Sequence, residues 1–413
     1  MPVELPVRPN EAVALADLVF EHLEGRPLTG DARARLAARL AGLKLESIRP
    51  YAGSLVRDNV HRSVYYLSVD GLSGPAPIPL LLRVALASAP SSAVFPRALL
   101  VGRMRPASGR EVVVNAVPFG PRDVANIRAF AEELDRAFLP RPQGAMPAIA
   151  VETRHPEAAL PAAFEAFRQI LKNTGVNWAS LEGSYEAGLW AAIRAGWREG
   201  YSAGAGRMVA AGDADAGRNQ EAIRDCAGCT RFTIDASRAP ELQAESRAWS
   251  DAEAGEFARP FTIGDVSYVF TADELARLEA RFGRGLRLTG ELYDFIRSAK
   301  AESGLGRSFD FELSLDGAET LTTPKELIFC LHWLKTRGRA AQLVSPNLNL
   351  DAMGELAAVA RYFNATLSVS SSGGEPEDAI EAIGRATAGR VNCRIAGEFQ
   401  ASDIVRLASR LRG

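Results

Sequence analysis

The 413-residue sequence is poor in the features that mark several protein classes. Its formal net charge is −2, with 48 basic residues against 50 acidic ones. No excess of positive charge is available to neutralise phosphates, so no nucleic-acid partner is expected. Lysine occurs only at Lys44, Lys172, Lys300, Lys325 and Lys335, and the other basic residues are arginine. No run approaches the ~18 apolar residues of a membrane-spanning helix; the longest, around Pro79–Ala87, is far too short. Met1 to Val13 has neither a basic n-region nor an apolar h-region, so the expectation is a cytoplasmic protein with no membrane partner. Four cysteines (Cys226, Cys229, Cys330, Cys393) in so long a chain do not make a disulfide framework. Histidine occurs four times, and never between His155 and His332. There is no GxxxxGK[ST] phosphate loop, and Gly204-Ala-Gly206-Arg-Met-Val209 lacks the third glycine of a dinucleotide fingerprint.

The sequence does have apolar mass: 47% of residues are hydrophobic, enough for a large core and for more than one domain. Residues 1–145 read as a smaller α+β domain. Helical stretches at Asn10–Glu24 and Gly30–Leu43 precede β-rich runs at Ser63–Val69, Leu80–Ala85 and Glu111–Val117, and a helix at Arg122–Ala137 follows. Pro140-Arg-Pro-Gln-Gly144 punctuates the chain, and the domain boundary is placed there.

From 146 to 413 strand and helix alternate. Strands are expected at Ala148–Thr153, Asn177–Glu182, Arg207–Gly212, Arg231–Ala236, Ser308–Asp316, Ala341–Asn347, Leu367–Ser372 and Val391–Ala396, each followed by an amphipathic stretch. Eight such units match an α/β fold of the TIM-like (β/α)8 barrel type, typically ~250 residues long. Residues 237–307 are too long for a connection and carry helical patterns at Ala272–Phe282 and Thr289–Ser303. They read as an insertion after strand four that roofs the pocket.

Strands of a parallel sheet covered on both faces usually read as continuous apolar runs. Several here alternate instead. Asp310, Glu312, Ser314 and Asp316 oppose Phe309, Phe311, Leu313 and Leu315; Asn392 and Arg394 oppose Val391, Cys393 and Ile395; Arg231, Thr233 and Asp235 oppose Phe232 and Ile234. The apolar faces meet the helices, so the polar faces point into the barrel. Unpaired charge in a dry core costs several kcal/mol, as a rough scale. The polar rows therefore either form internal ion pairs, with Glu312 or Asp316 against Arg394, or line a pocket for a hydroxyl-rich small molecule.

The segment Phe309 to Pro324, FDFELSLDGAETLTTP, resembles the strand-and-turn motif of the tagaturonate/fructuronate epimerase family. Phe232-Thr-Ile-Asp-Ala-Ser237, Ala360-Arg-Tyr-Phe363 with Leu367-Ser-Val-Ser370, and Arg390 to Glu398 resemble further motifs of that family in the same order. The resemblance covers about residues 185–413. It implies a barrel that binds one divalent metal through three histidines and epimerises ketohexuronates. At two of the three histidine positions this sequence has Ser370 and Asn392, and at the third Ala216 or Arg207. The two motif lysines become Glu375 and Arg394, and one glutamate becomes Gly317, while Asp316, Glu319, Thr320, Thr322 and Thr323 are retained.

Neutral imidazoles are good divalent ligands, whereas serine and asparagine are weak donors. The expectation is a divergent family member, with no cofactor and a divalent metal possible only through carboxylates. Metal-dependent epimerisation would be lost or altered. Its partner would be a small-molecule sugar acid or related polyol at the barrel mouth. Candidate acid/base residues are Asp215, Asp235, Asp316 and Glu319; candidate substrate contacts are His155, Thr320, Ser370, Asn392 and Arg394. The other reading is a non-catalytic binding or assembly subunit, either a homo-oligomer or the companion of an active paralogue. Schiff-base chemistry is not expected, since no lysine falls on a predicted strand. Cys226-Ala-Gly-Cys229 has no second pair to complete a zinc knuckle and reads as a helix end.

Overall fold

Alternating apolar residues and tight turns build the first sheet. Two helices, α1 (Pro9–Leu23) and α2 (Gly30–Ala41), precede β1 (Ile48–Pro50), β2 (Val56–Arg57), β3 (Val64–Gly71), β4 (Ile78–Leu86), β5 (Leu99–Met104) and β6 (Val112–Pro118). The strands pair antiparallel in the order β1-β3-β4-β6-β5, with β2 on β3. Leu15 and Val19 of α1 and Leu36 of α2 pack with Tyr65, Leu67, Val84 and Val114 in one apolar core. A computed structural model of the chain describes residues 7–23, 29–58, 60–61, 63–105, 109–183, 185–210, 213–238, 251–304, 306, 308–371 and 377–412.

The chain forms two compact units: Met1–Leu139 with Pro156–Glu165 and Glu186–Gly200, and Pro140–His155 with Ala166–Tyr185 and Tyr201–Gly413. In the first, the expected helix at 122–137 is interrupted. Helix α3 (Val124–Ala129) opens into a π turn at Phe130–Leu134 and a 3₁₀ turn at Arg136–Phe138. Asp135 leaves the helix to accept from Arg198 Nε at 2.8 Å, and that guanidinium covers the Phe138 ring. Gly196 (φ +66°) allows a backbone-to-backbone approach, since a Cβ there would lie 2.6 Å from Gly53 Cα.

The second unit is a closed parallel barrel. Its strands are β7 (Ala148–Glu152), β8 (Ala179–Glu182), β9 (Ser202–Val209), β10 (Arg231–Asp235), β13 (Asp310–Leu315), β14 (Leu343–Pro346), β15 (Thr366–Ser371) and β16 (Val391–Ala396), joined in the order β10-β13-β14-β15-β16-β7-β8-β9. In chain order they alternate with α4 (Pro156–Thr174), α5 (Tyr185–Ala195), α6 (Asp213–Asp225), α8 (Ala272–Ser303), α9 (Pro324–Thr336), α10 (Leu350–Tyr362), α11 (Glu377–Thr387) and α12 (Ala401–Arg412). This is a TIM-like (β/α)8 barrel preceded by a smaller α+β region. Helix starts follow local chemistry: Thr323 caps α9 in a capping box with Glu326 and has Pro324 behind it, and Thr271 with Glu274 does the same for α8. At the floor, Asp310 accepts from the backbone N–H groups of Gln143 (2.7 Å) and Gly144 (2.9 Å), while Thr366 Oγ1 donates to Ala145 O at 2.6 Å.

Three expectations need correction. The strand expected at 207–212 begins at Ser202, so Gly204 and Gly206 lie inside a strand rather than in a loop before it. The helices expected at 272–282 and 289–303 are one continuous helix, α8. Gly283 does not break it; the Glu279 carboxylate, held by Arg287 at 2.6 Å, folds into the space a Cβ there would take. Of the expected insertion, residues 272–303 are α8 itself, and the described part before it lies elsewhere than expected. It comprises α7 (Asp251–Glu256) and a hairpin of β11 (Phe261–Ile263) and β12 (Val266–Tyr268). It packs on the barrel's helices: Phe257 stacks on Phe329 of α9 at 5.5 Å, and Tyr268 Oη donates to Glu355 of α10 at 2.5 Å. Residues 239–250 of the expected roof lie outside the described residues, as does Ser372 of the expected seventh strand.

Candidate functional site at the barrel mouth

Strand parity places two polar layers inside the barrel. The deeper one centres on Glu312, which has no solvent exposure. Glu312 pairs with Arg394 and accepts from Thr233 Oγ1 at 2.8 Å. Arg231 pairs with Glu182 and donates to Asn392 Oδ1 at 3.3 Å, and Asn392 Nδ2 donates to Ser368 Oγ at 2.8 Å. Burial works against the charge of Glu312, but Arg394 and Arg231 outweigh it and hold its carboxyl below the ordinary value. Burial of Arg231 brings its pKa down to about 10, although Glu312 pulls the other way. Gly204 leaves room here for the Glu182 carboxylate, which a Cβ at that position would displace.

The upper layer lies at the C-terminal ends of the strands, where barrels of this type carry their sites. Arg207 Nη1 donates to Asp235 Oδ2 at 3.1 Å and to Asp316 Oδ1 at 2.8 Å; its Nη2 donates to Asp316 Oδ2 at 2.8 Å. Ser314 Oγ donates to Asp316 Oδ1 at 2.6 Å and Ser345 Oγ to Asp316 Oδ2 at 3.1 Å. Asp235 Oδ1 accepts from the Ser237 backbone N–H at 2.8 Å. Burial opposes ionisation of Asp316, yet the hydrogen bonds from Arg207 and Ser314 and the charges of Arg207 and Arg394 keep its carboxyl below the ordinary value. The Arg207 side chain remains 36% exposed.

Of the residues singled out by sequence, Asp235 and Asp316 meet in the upper layer, and Asn392 and Arg394 take part in the deeper one. Ser370 is exposed and level with Arg394 in the β15–β16 register. The other candidates take no part in the hydrogen bonds described for this network. Asp215 pairs with Arg218 in the first turns of α6. Thr320 Oγ1 accepts from Arg281 of α8 at 2.6 Å, Glu319 is exposed beside it, and His155 is exposed ahead of α4. Gly317 lets the turn after β13 approach Ser237, whose Oγ would be 2.8 Å from a Cβ.

Arg207, Arg231 and Glu182 were not among the candidate site residues, although the resemblance offered Arg207 as one of two residues at the third histidine position and strand alternation turned Arg231 inward. A further signal was the pair of glycines at 204 and 206, which in a strand mark a bulge or a close approach.

The divalent metal implied by the sequence resemblance does not fit these residues. Ser370 and Asn392 are poor ligands, and Asn392 already bonds Arg231 and Ser368. A carboxylate offers about four lone-pair positions, and Asp316 accepts two bonds from Arg207 and one each from Ser314 and Ser345. Among the described residues, no group of three or more His, Cys, Asp or Glu side chains is arranged to hold a metal ion. Nor is any helix among them long and apolar enough to cross a membrane.

This fold has counterparts among solved structures. The chain is similar in fold to the fructuronate-tagaturonate epimerase UxaE from Cohnella laeviribosi. Against its one-glycerol complex the TM-score is 0.61 and the identity 18%, over 89% of this chain and 75% of that one. Against the native enzyme the values are 0.60 and 17%, over 88% and 74%. No protein-family model matches the chain, and no curated protein matches it.

Proposed function

We propose that the chain binds a sugar acid or related polyol at the mouth of its barrel, as a divergent relative of the hexuronate epimerases whose metal-dependent epimerisation is lost or altered. The observation that carries this reading is the gathering of Arg207, Asp235, Asp316 and Ser345 from four separate strands at the C-terminal end. Asp235, with lone pairs left to accept from sugar hydroxyls, and the Arg207 guanidinium that Asp316 orients, as a donor to an acid group, form a wall suited to such ligands. The epimerase of similar fold has been crystallised with one and with two glycerol molecules, and glycerol is itself a small polyol.

The test is a thermal-shift and calorimetric screen of hexuronates, aldonates and alditols against the full chain, run alongside an epimerase assay on ketohexuronates. A sugar acid that stabilises the wild type and binds on the order of tenfold more weakly to Asp316→Ala is the expected outcome. No stabilisation across the panel would remove the proposal.

A second reading has one observation in its favour: the deeper layer is filled by its own ion pairs, with Glu312 and Asn392 fully buried. A barrel closed at that depth suits a non-catalytic binding or assembly subunit. Turnover of any ketohexuronate would exclude it.

A further inference from the structure

A backbone device at β9 sets the direction of Arg207. Gly204 pairs with Arg231 of β10, but Thr233 pairs with Arg207, so β9 spends one residue more than β10 over this stretch. Side chains alternate along a strand, and one extra residue reverses which face the next one takes. Gly204 lies on the inner face beside Glu182. Without the bulge, position 206 would follow it inward and Arg207 would turn toward the helices. With it, Arg207 shares the inner face with Thr233 and reaches Asp235 and Asp316. Gly206, at φ +78°, supplies a backbone conformation that other residues rarely adopt.

We propose that Arg207 is a built-in cation that stands in place of a divalent metal at this mouth, occupying the carboxylate positions through which such an ion would be held. The oxygens around it are hard donors: the carboxylates of Asp235 and Asp316, with the hydroxyls of Ser314 and Ser345 behind them. That set suits Mg²⁺ or Mn²⁺ once the guanidinium is gone, and excludes them while it is there. A guanidinium keeps its charge at any physiological pH, so the exclusion is permanent. Three of its five N–H groups are turned to the two aspartates, leaving Nε–H and the second Nη2–H as the edge available to an oxygen of a bound molecule. Such a molecule would meet fixed donors here, and no open coordination position.

The experiment is a Mn²⁺ titration of the full chain followed by electron paramagnetic resonance, comparing wild type, Arg207→Gln, Arg207→Lys and the double variant Arg207→Gln with Asp316→Asn. Wild type and the lysine variant should leave the free Mn²⁺ signal intact. Arg207→Gln should bind Mn²⁺ on the order of tenfold tighter than wild type, a gain that the double variant loses. Wild type binding as tightly as Arg207→Gln, or a folded Arg207→Gln that gains nothing, would overturn the proposal. A second measurement needs no variant: the wild-type melting temperature should be the same with EDTA, with added Mn²⁺ and with neither. A shift of several degrees under either addition would equally overturn it. Neither readout involves a sugar acid, so the ligand reading can fail while this one stands, and the reverse.

Discussion

Arg231 and Arg207 occupy neighbouring strands of one barrel and play opposite parts. Arg231 is 2% exposed, and burial lowers its pKa to about 10. Arg207 is 36% exposed, and the hydrogen bonds and charges of Asp316 and Asp235 raise its pKa above the ordinary arginine value. In the deeper layer Arg231 and Glu312 have been taken from water, while Glu182 and Arg394 are largely buried. Such a set contributes little net stability as a whole, but it is costly to break by removing one member. The Arg207 side of the mouth layer keeps contact with water, so its pairs contribute less to folding. Depth, rather than residue type, separates the two arginines.

The largest effect should come from Glu312→Gln. It leaves Arg394 without its carboxylate and removes a second negative charge acting on Arg231, and should cost about 3 kcal/mol or more, read by urea denaturation. A loss no larger than at the mouth would erase the distinction between the layers. Gly204→Ala should follow at about 1–3 kcal/mol, because the added methyl displaces Glu182 from Arg231. Asp316→Ala should change stability by only about 1 kcal/mol while impairing sugar-acid binding, which separates the two layers in a single protein.

The smallest effect is in acid. Glu312 and Asp316 both have carboxyl groups held below their ordinary values, so the stability they contribute is present above about pH 4 and is lost as pH falls further toward their folded values. Denaturation midpoints at neutral pH and near pH 3 should therefore differ less for Glu312→Gln than for wild type, with Asp316→Asn in between. An unchanged acid dependence in both variants would show that these carboxylates do not set it.

The barrel was legible because its strands write their parity plainly. Asp310, Glu312 and Ser314 alternate with Phe311, Leu313 and Leu315, and the structure turns the first set inward, with Glu312 against Arg394. The mouth was legible in part, through Asp235 and Asp316, which continue that alternation to the strand ends. Arg207 was hidden because a bulge shifts its register, and alternation counted from the sequence assigns it no reliable face. The length of α8 was obscured by Gly283 and Gly285, where propensity argues for a break and the ordered Glu279–Arg287 pair bridges it. The chain segments at 156–165 and 186–200 pack in the first unit despite lying among barrel strands in sequence, a tertiary choice that no local pattern records.

The backbone amides that Gln143 and Gly144 direct onto Asp310, with Ala145 tied to Thr366, stretch a length of chain across the end of the barrel opposite the mouth. A ligand bound as proposed would have that tied end and the buried ion pairs on one side of it and solvent on the other, so the side chains at the mouth would set both how fast it enters and how long it stays.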